Sequence, residues 1–271
     1  MLKVKKTKEG YDIQIGKNFG LYKTVWNDTR YDANEYGTKI VNSLVENSSF
    51  TYPKSLWTVY DCIYAGCADN KDALVLDFFA GSSTTAHATY ELNKQDNGNR
   101  KFIMIQVPAE IPEENKKLIS GFQTIADISR ERIRKAAKNY ENLVSDIGVR
   151  ALYLDDTCFK DVFYLPDVYK QSDLVDLASN IKEDRTSEDL LFQVMLDWGL
   201  ELSLPIERKA VAGKEVFYVA GNSLVACFDE LTFDVVDEVA KDHPLRFVSA
   251  EKAIHLDHDK TNIKERFKQL S

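Results

Sequence analysis

Asp77-Phe78-Phe79-Ala80-Gly81-Ser82-Ser83-Thr84-Thr85 is the stretch of this 271-residue chain whose residue types and spacing could do chemistry. An acid ends an apolar run, and a turn of small residues follows it directly. Gly81 lets the backbone approach a ligand where a Cβ would collide, and the first amides of a helix starting at the turn would point at that ligand and favour a negative group. The ligand should therefore carry an anion or electron-rich oxygens. The turn lacks both the Gly-x-Gly-x-x-Gly of dinucleotide sites and the Gly-Lys-Ser/Thr of phosphate loops, which disfavours dinucleotides and nucleoside triphosphates. On pattern alone, a structural strand-to-helix turn explains the stretch equally well.

Hydrophobic periodicity supplies the elements that must position the turn. Ala73 to Phe79 is a continuous apolar run, which predicts a strand buried on both faces, and a helical pattern follows the turn to Asn93. A polar loop from Lys94 to Arg100 leads to a second apolar run, Lys101 to Pro108, completing a βαβ unit. A basic helix from Gln123 to about Asn142 and a third strand, Val149 to Leu154, extend this to a doubly wound α/β pattern. Upstream, residues 1–32 read as a hairpin or the tail of another region, and Ala33 to Glu46 as a helix with Ile40, Val41, Leu44 and Val45 on one face. After a loop containing Pro53, Ser55 is a good N-cap for a helix to about Cys67, with Leu56, Val59, Tyr60, Ile63 and Tyr64 as its buried stripe. Beyond Asp155 the rhythm changes to a Ser-capped helix (Ser187 to Leu200), a hairpin (Val216 to Phe228), a short helix (Phe233 to Lys241) and a strand near Arg246 to Ser249. These patterns divide the chain into 1–32, 33–155 and a small α+β region, 156–271.

Composition is that of an ordinary globular chain, with 44% hydrophobic residues and a net charge of −8. That charge argues against a protein whose main task is to coat nucleic acid. It is also uneven: residues 1–138 carry 20 Lys and Arg against 17 Asp and Glu, and 139–271 carry 15 against 26. Anion-binding chemistry therefore belongs to the first part. Cys62, Cys67, Cys158 and Cys227 form no Cys-x-x-Cys pair and read as reduced thiols, while no apolar run is long enough for a membrane span; a cytoplasmic protein is expected. His255-Leu256-Asp257-His258-Asp259 reads as a solvated loop, with no metal expected. On the basic helix, Arg130 and Arg134 are candidates for DNA phosphate contact, although a wet face laced with Glu131 accounts for them as well.

The turn, together with Glu91-Leu92-Asn93, Gly98 to Pro108, Thr124 to Ile128, Glu131 to Arg134, Gly148-Val149-Arg150, Leu154-Asp155 and Lys260-Thr261-Asn262, closely resembles the modification subunits of type III restriction–modification systems. The resemblance runs from about Trp26 to the end. It implies a DNA adenine-N6 methyltransferase of the permuted class, which places its cofactor motifs after its catalytic one, and a partial Rossmann-like S-adenosylmethionine-binding sheet followed by the small α+β domain. The carboxylate of the cofactor would be received at the helix starts at Ser55 and Thr84, with Lys54 nearby, and its ammonium by Asp77. Lys54-Ser55 matches the family's Pro-Lys-Pro segment, with Ser in place of the second Pro. Phe78 and Phe79, with Val107, would wall the adenine, with Ala80, Gly81 and Ser82 forming the close turn. Gln106, or else Glu110, would meet the ribose. The family's Phe-x-Gly-x-Gly is here Phe79-Ala80-Gly81-Ser82-Ser83, and Ser83 is tolerable if its φ stays negative.

The prolines lie at 53, 108, 112, 166, 205 and 244, so no Asp-Pro-Pro-Tyr segment is available to clamp a flipped adenine. The expectation is therefore the C-terminal portion of a modification subunit, without catalytic residues of its own and inactive alone. Its partners would be the N-terminal portion of that subunit, a second modification subunit, the restriction subunit and, through the complete enzyme, DNA. The alternative is a non-enzymatic assembly module for the modification or restriction subunit; an oxidoreductase with an atypical nucleotide turn is more distant. Without a neighbouring strand, Ala73 to Phe78 should form an open sheet edge, covered by self-association or by residues 1–32.

Overall fold

Eight of the thirteen residues of the helix Thr84–Asp96 are buried, so the small-residue turn leads straight into the interior. The computed structural model describes residues 2–7, 10–15, 22–46, 48, 50–111, 121–160, 180–254 and 257–270, and the chain divides into two units, 1–151 and 152–271. The described residues form a mixed α/β structure.

In the first unit, β1 (Leu2–Thr7) and β2 (Gly10–Ile15) pair antiparallel along their whole length. They form a sheet of their own, so the expectation that residues 1–32 cover the edge of the central strand is not met for these strands. The expected helix over 33–46 opens as a π-helical turn, Asn34–Thr38, before α1 (Lys39–Leu44). Next come α2 (Leu56–Cys67), β3 (Leu74–Asp77), α3 (Thr84–Asp96) and β4 (Lys101–Met104). β3 and β4 are parallel, with Leu74 opposite Lys101 and Asp77 opposite Met104, which is the βαβ unit read from the sequence.

Helix α2 lays Leu56, Tyr60 and Ile63 against Ala88 and Leu92 of α3, each large apolar side chain contributing about 1.5–3 kcal/mol on full burial. On another flank of α3, Ala86 and Tyr90 meet Ile133 and Ala137 of α4 (Ile125–Lys138), with Phe102 and Met104 of β4 packed alongside. Thr124 and Asp127 cap α4 reciprocally, a capping box that starts this helix two residues later than periodicity placed it.

Two strand expectations are corrected. β3 and β4 are not buried on both faces: Val75, Phe102 and Met104 turn towards the helices, whereas Leu74, Leu76, Ile103 and Ile105 are exposed, Leu76 by 57%. The reason is that α2, α3 and α4 pack on one face only. Val149 to Leu154 forms no strand, because among the described residues no neighbouring strand takes up its backbone groups; Leu154 is fully exposed.

The second unit contains α5 (Ser187–Asp197), β5 (Ile206–Val211), β6 (Lys214–Val219), β7 (Leu224–Cys227), α6 (Phe233–Lys241), β8 (Phe247–Ser249) and α7 (Asp257–Leu270). Its sheet has the order β5-β6-β7-β8, antiparallel except for the β7–β8 pair. Val216, Phe217, Val219 and Val225 of the sheet are enclosed with Leu191 and Met195 of α5 and Val235, Val236 and Val239 of α6. The cap of α5 is Thr186, paired with Asp189, and not Ser187. Asp257, His258 and Asp259 open α7 instead of lying in a polar loop, since Ile263 and Phe267 give the segment an apolar side for the core; His255 and Leu256 lie outside the described residues.

Candidate cofactor site

The turn between β3 and α3 is tethered at seven successive residues. Asp77 Oδ1 accepts from Phe79 N at 3.1 Å, and its Oδ2 accepts from Thr85 Oγ1 at 2.6 Å. Ala80 N donates to Ile105 O at 3.1 Å and Gly81 N to Gln106 Oε1 at 2.7 Å. Arg132 Nη1 donates to Ser82 Oγ at 2.7 Å, Thr84 Oγ1 at 2.8 Å and Ser82 O at 3.2 Å, while Ser83 Oγ pairs with Ser129 Oγ. A loop held this way costs little further ordering when a ligand arrives.

Two residues of the turn adopt left-handed backbone. Gly81, at φ +55°, does so without penalty; a Cβ there would stand 3.5 Å from Phe50 Cζ, so strain, not space, selects Gly. Ser83 lies at φ +57°, which overturns the condition under which a Ser was acceptable at this position and costs about 1–2 kcal/mol. Its buried hydroxyl bonds Ser129 and does not cap α3. The first amides of α3 therefore keep their polarity for an electron-rich group.

Behind the turn lie two buried polar side chains with incomplete partners. Arg132 is fully enclosed, and its Nε and Nη2 have no partner among the described residues. Burial pushes its pKa down to about 10. His87 Nδ1 is likewise unpartnered, and burial, reinforced by the Arg132 charge, pushes this imidazole down to about 3, so it is neutral.

The structure brings the residues from Asp77 to Thr84 together with Gln106. Gln106 spends its amide within the fold, its Oε1 on Gly81 and its Nε2 on Val107 O at 2.9 Å. Phe78 and Phe79 are exposed, the latter by 81%, with ring centroids 5.2 Å apart, while Ala80 is buried. Lys54 is exposed just ahead of α2, and Phe50 of the same loop stands beside Gly81. Ser55 occupies the N-cap position of α2 but does not cap it; its Oγ donates to Arg30 O at 2.8 Å instead. Arg130 pairs with Asp127, and Arg134 with Glu131 at 2.7 Å, all on α4. Glu110 sits in an isolated bridge with Thr124.

Sequence reasoning did not single out Ser129, Arg132 or Gly37. A Cβ on Gly37 would meet Pro53 O at 2.5 Å and Lys54 O at 3.0 Å, so this glycine sets where the Lys54-Ser55 segment lies. For Arg132 a signal existed: it stands four residues from both Ile128 and Ala136, on the buried side of α4.

This geometry, an acid-ended strand, a braced small-residue turn and an uncapped helix start, coincides with a sequence match. Residues 2–119 match the DNA methylase family. The chain is 36% identical to the type II methyltransferase M.KpnI of Klebsiella pneumoniae over 118 residues, which are 44% of this chain and 28% of that protein. It is 39% identical over 122 residues to the Mod subunit of the type III restriction-modification enzyme StyLTI of Salmonella typhimurium, 44% of this chain and 18% of the relative. The corresponding subunit of EcoP15I from Escherichia coli is 36% identical over 131 residues, 44% and 20% of the two chains. The chain thus spans less than a third of each of these relatives. The DNA methylase match includes every candidate from Lys54 to Gln106 and stops short of α4, so the resemblance read to the end of the chain is carried by comparison only in part. Among the described residues, no helix is long and apolar enough to cross a membrane.

Proposed function

We propose that the chain is the S-adenosylmethionine-binding portion of a DNA adenine-N6 methyltransferase of the type III restriction–modification kind, acting in the cytoplasm. On this reading residues 33–155 are part of a Rossmann-like cofactor domain and 156–271 a small acidic α+β domain. The observation that carries it is the braced turn: one carboxylate, one uncapped helix start and two exposed aromatic rings meet at the end of β3, inside the segment that matches the DNA methylase family.

These residues fit the cofactor's separate chemical parts. Asp77 receives the ammonium, and the first amides of α3 receive the carboxylate, with Lys54 as an additional cation. Phe78, Phe79 and Val107 offer apolar surface to the adenine, and Gln106 braces Gly81 so that the backbone comes close. When bound, S-adenosylmethionine supplies an activated methyl group for an exocyclic amine. Within the 271 residues no Asp-Pro-Pro-Tyr segment orients that amine, so we assign the base clamp, and with it DNA contact, to a partner segment or subunit of the same enzyme. Arg130 and Arg134, engaged with their own helix's acids, offer at most an auxiliary phosphate contact.

Calorimetric titration of the chain with S-adenosylmethionine tests the reading, alongside transfer of a labelled methyl group to mixed-sequence DNA. Saturable binding without transfer is expected. Absence of binding refutes the cofactor site, and transfer by this chain alone refutes the division of labour.

A second reading, an assembly module without cofactor, is favoured by the bare apolar face of β3 and β4. It predicts association with a methyltransferase or restriction subunit that is indifferent to S-adenosylmethionine.

A further inference from the structure

We propose that Arg132, a residue outside the segment matching the DNA methylase family, is the positioning residue that makes the start of α3 selective for the carboxylate end of the cofactor. This rests on the cofactor reading above and deepens it.

The first observation is geometric. One nitrogen of Arg132 holds both the Oγ and the carbonyl of Ser82 and the Oγ1 of Thr84. One turn earlier on the same helix, Ser129 holds Ser83. Helix α4 thus grips three consecutive residues at the point where α3 begins, and the direction of the first α3 amides depends on that grip.

The second observation concerns charge. Arg132 is fully enclosed, and two of its nitrogens have no partner among the described residues. The three oxygens it does bond belong to two hydroxyls and a carbonyl, none of them anionic. An enclosed cation without a carboxylate is an expensive way to fill space, since apolar side chains of similar volume serve the fold as well or better. Here its field adds to that of the helix start, at the turn where the first amides are left uncapped. In a low-dielectric interior such a charge acts beyond its hydrogen bonds. The missing counter-charge is therefore best supplied by a bound ligand, and the ligand carboxylate is the group that fits.

The test compares affinities for S-adenosylmethionine and for the same molecule lacking its α-carboxylate. The unmodified chain should prefer the carboxylate-bearing form by tenfold or more. In Arg132→Gln, which keeps donor groups but loses the charge, the ratio should fall to within threefold of unity. In Ser82→Asp, which supplies the counter-charge from within, the ratio should fall likewise while the thermal midpoint rises. A ratio that stays at tenfold in a folded Arg132→Gln protein overturns the inference. Where Arg132→Gln does not fold, an unchanged ratio in Ser82→Asp, or an unmodified chain that binds both forms equally, overturns it instead. If the unmodified chain binds neither form, the cofactor reading itself fails and the inference falls with it.

Discussion

Asp77 does two things at once, and substitution can separate them. Its carboxylate accepts Phe79 N at 3.1 Å and Thr85 Oγ1 at 2.6 Å, holding both ends of the turn, and it is the acid proposed to meet the cofactor ammonium. In Asp77→Asn the scaffold can survive. The amide oxygen keeps the Phe79 N–H, and the amide nitrogen donates to Thr85, whose hydroxyl reverses to accept. A net hydrogen bond contributes about 0.5–1.5 kcal/mol, so stability should fall by about 1 kcal/mol or less. The contact to a cationic ligand loses its charge, and charged hydrogen bonds contribute about 1.5–3 kcal/mol, so Kd should rise roughly 10- to 150-fold. Thr85→Val is the complement. It removes the 2.6 Å bond and leaves the carboxylate, so it should lower stability by about 1 kcal/mol yet move Kd by less than about threefold. Urea unfolding and calorimetric titration on the three proteins give both quantities. Equal weakening of binding by the two substitutions would mean that Asp77 acts only by shaping the turn, and binding by Asp77→Asn as tight as that of the unmodified chain would remove it from the site.

Gly37→Ala places a Cβ 2.5 Å from Pro53 O, a clash with backbone that should cost about 1–3 kcal/mol in urea unfolding and, by displacing Lys54, weaken cofactor binding as well. His87 is neutral in the fold, its pKa pushed down to about 3 by burial and then by Arg132, while in the unfolded chain it titrates near 6.5. The unfolded state therefore binds the extra proton between these values, so this contribution to stability is intact above about pH 6.5 and is lost at up to about 1.4 kcal/mol per pH unit as pH falls towards 3. His87→Gln should flatten that part of the stability profile, and an unchanged slope would contradict the assignment. On the bare sheet face, Leu76→Lys combined with Ile103→Lys should abolish binding of a hydrophobic fluorescent dye while changing stability by no more than about 0.5 kcal/mol per site, because both side chains are exposed.

The βαβ unit was legible because two short apolar runs flank a small-residue turn and a helical pattern, and run length alone separates strand from helix there. What covers each strand was not. Leu74 and Leu76 are as apolar as Val75, and nothing local distinguishes the side that meets α2 and α3 from the bare one. β5 escaped notice because Glu207-Arg208-Lys209 interrupts its alternation; in the fold the Arg208 guanidinium lies over the Phe217 ring at 5.3 Å and the Lys209 ammonium over Tyr218 at 4.2 Å, so these charges face aromatic rings of β6. Ser83 shows the limit of reading residue types. A Ser after Gly81-Ser82 is acceptable on condition of a negative φ, and only the backbone reveals a left-handed residue whose strain is offset by a buried bond to Ser129, forty-six positions away. The candidate site divides along the same line. Groups proposed to face a ligand (Asp77, Phe78, Phe79 and the amides of α3) lie within a dozen consecutive residues and could be read as a motif. Groups that hold them still come from β4's exit and α4: Gln106, read from the sequence as a ribose partner, braces Gly81 instead, and Ser129 and Arg132 look like part of an ordinary basic helix until the chain folds. A local motif can name the chemistry, but its geometry depends on distant residues whose bracing roles their types do not state, and for that reason the substitutions at Arg132 and Asp77 should affect binding in different ways.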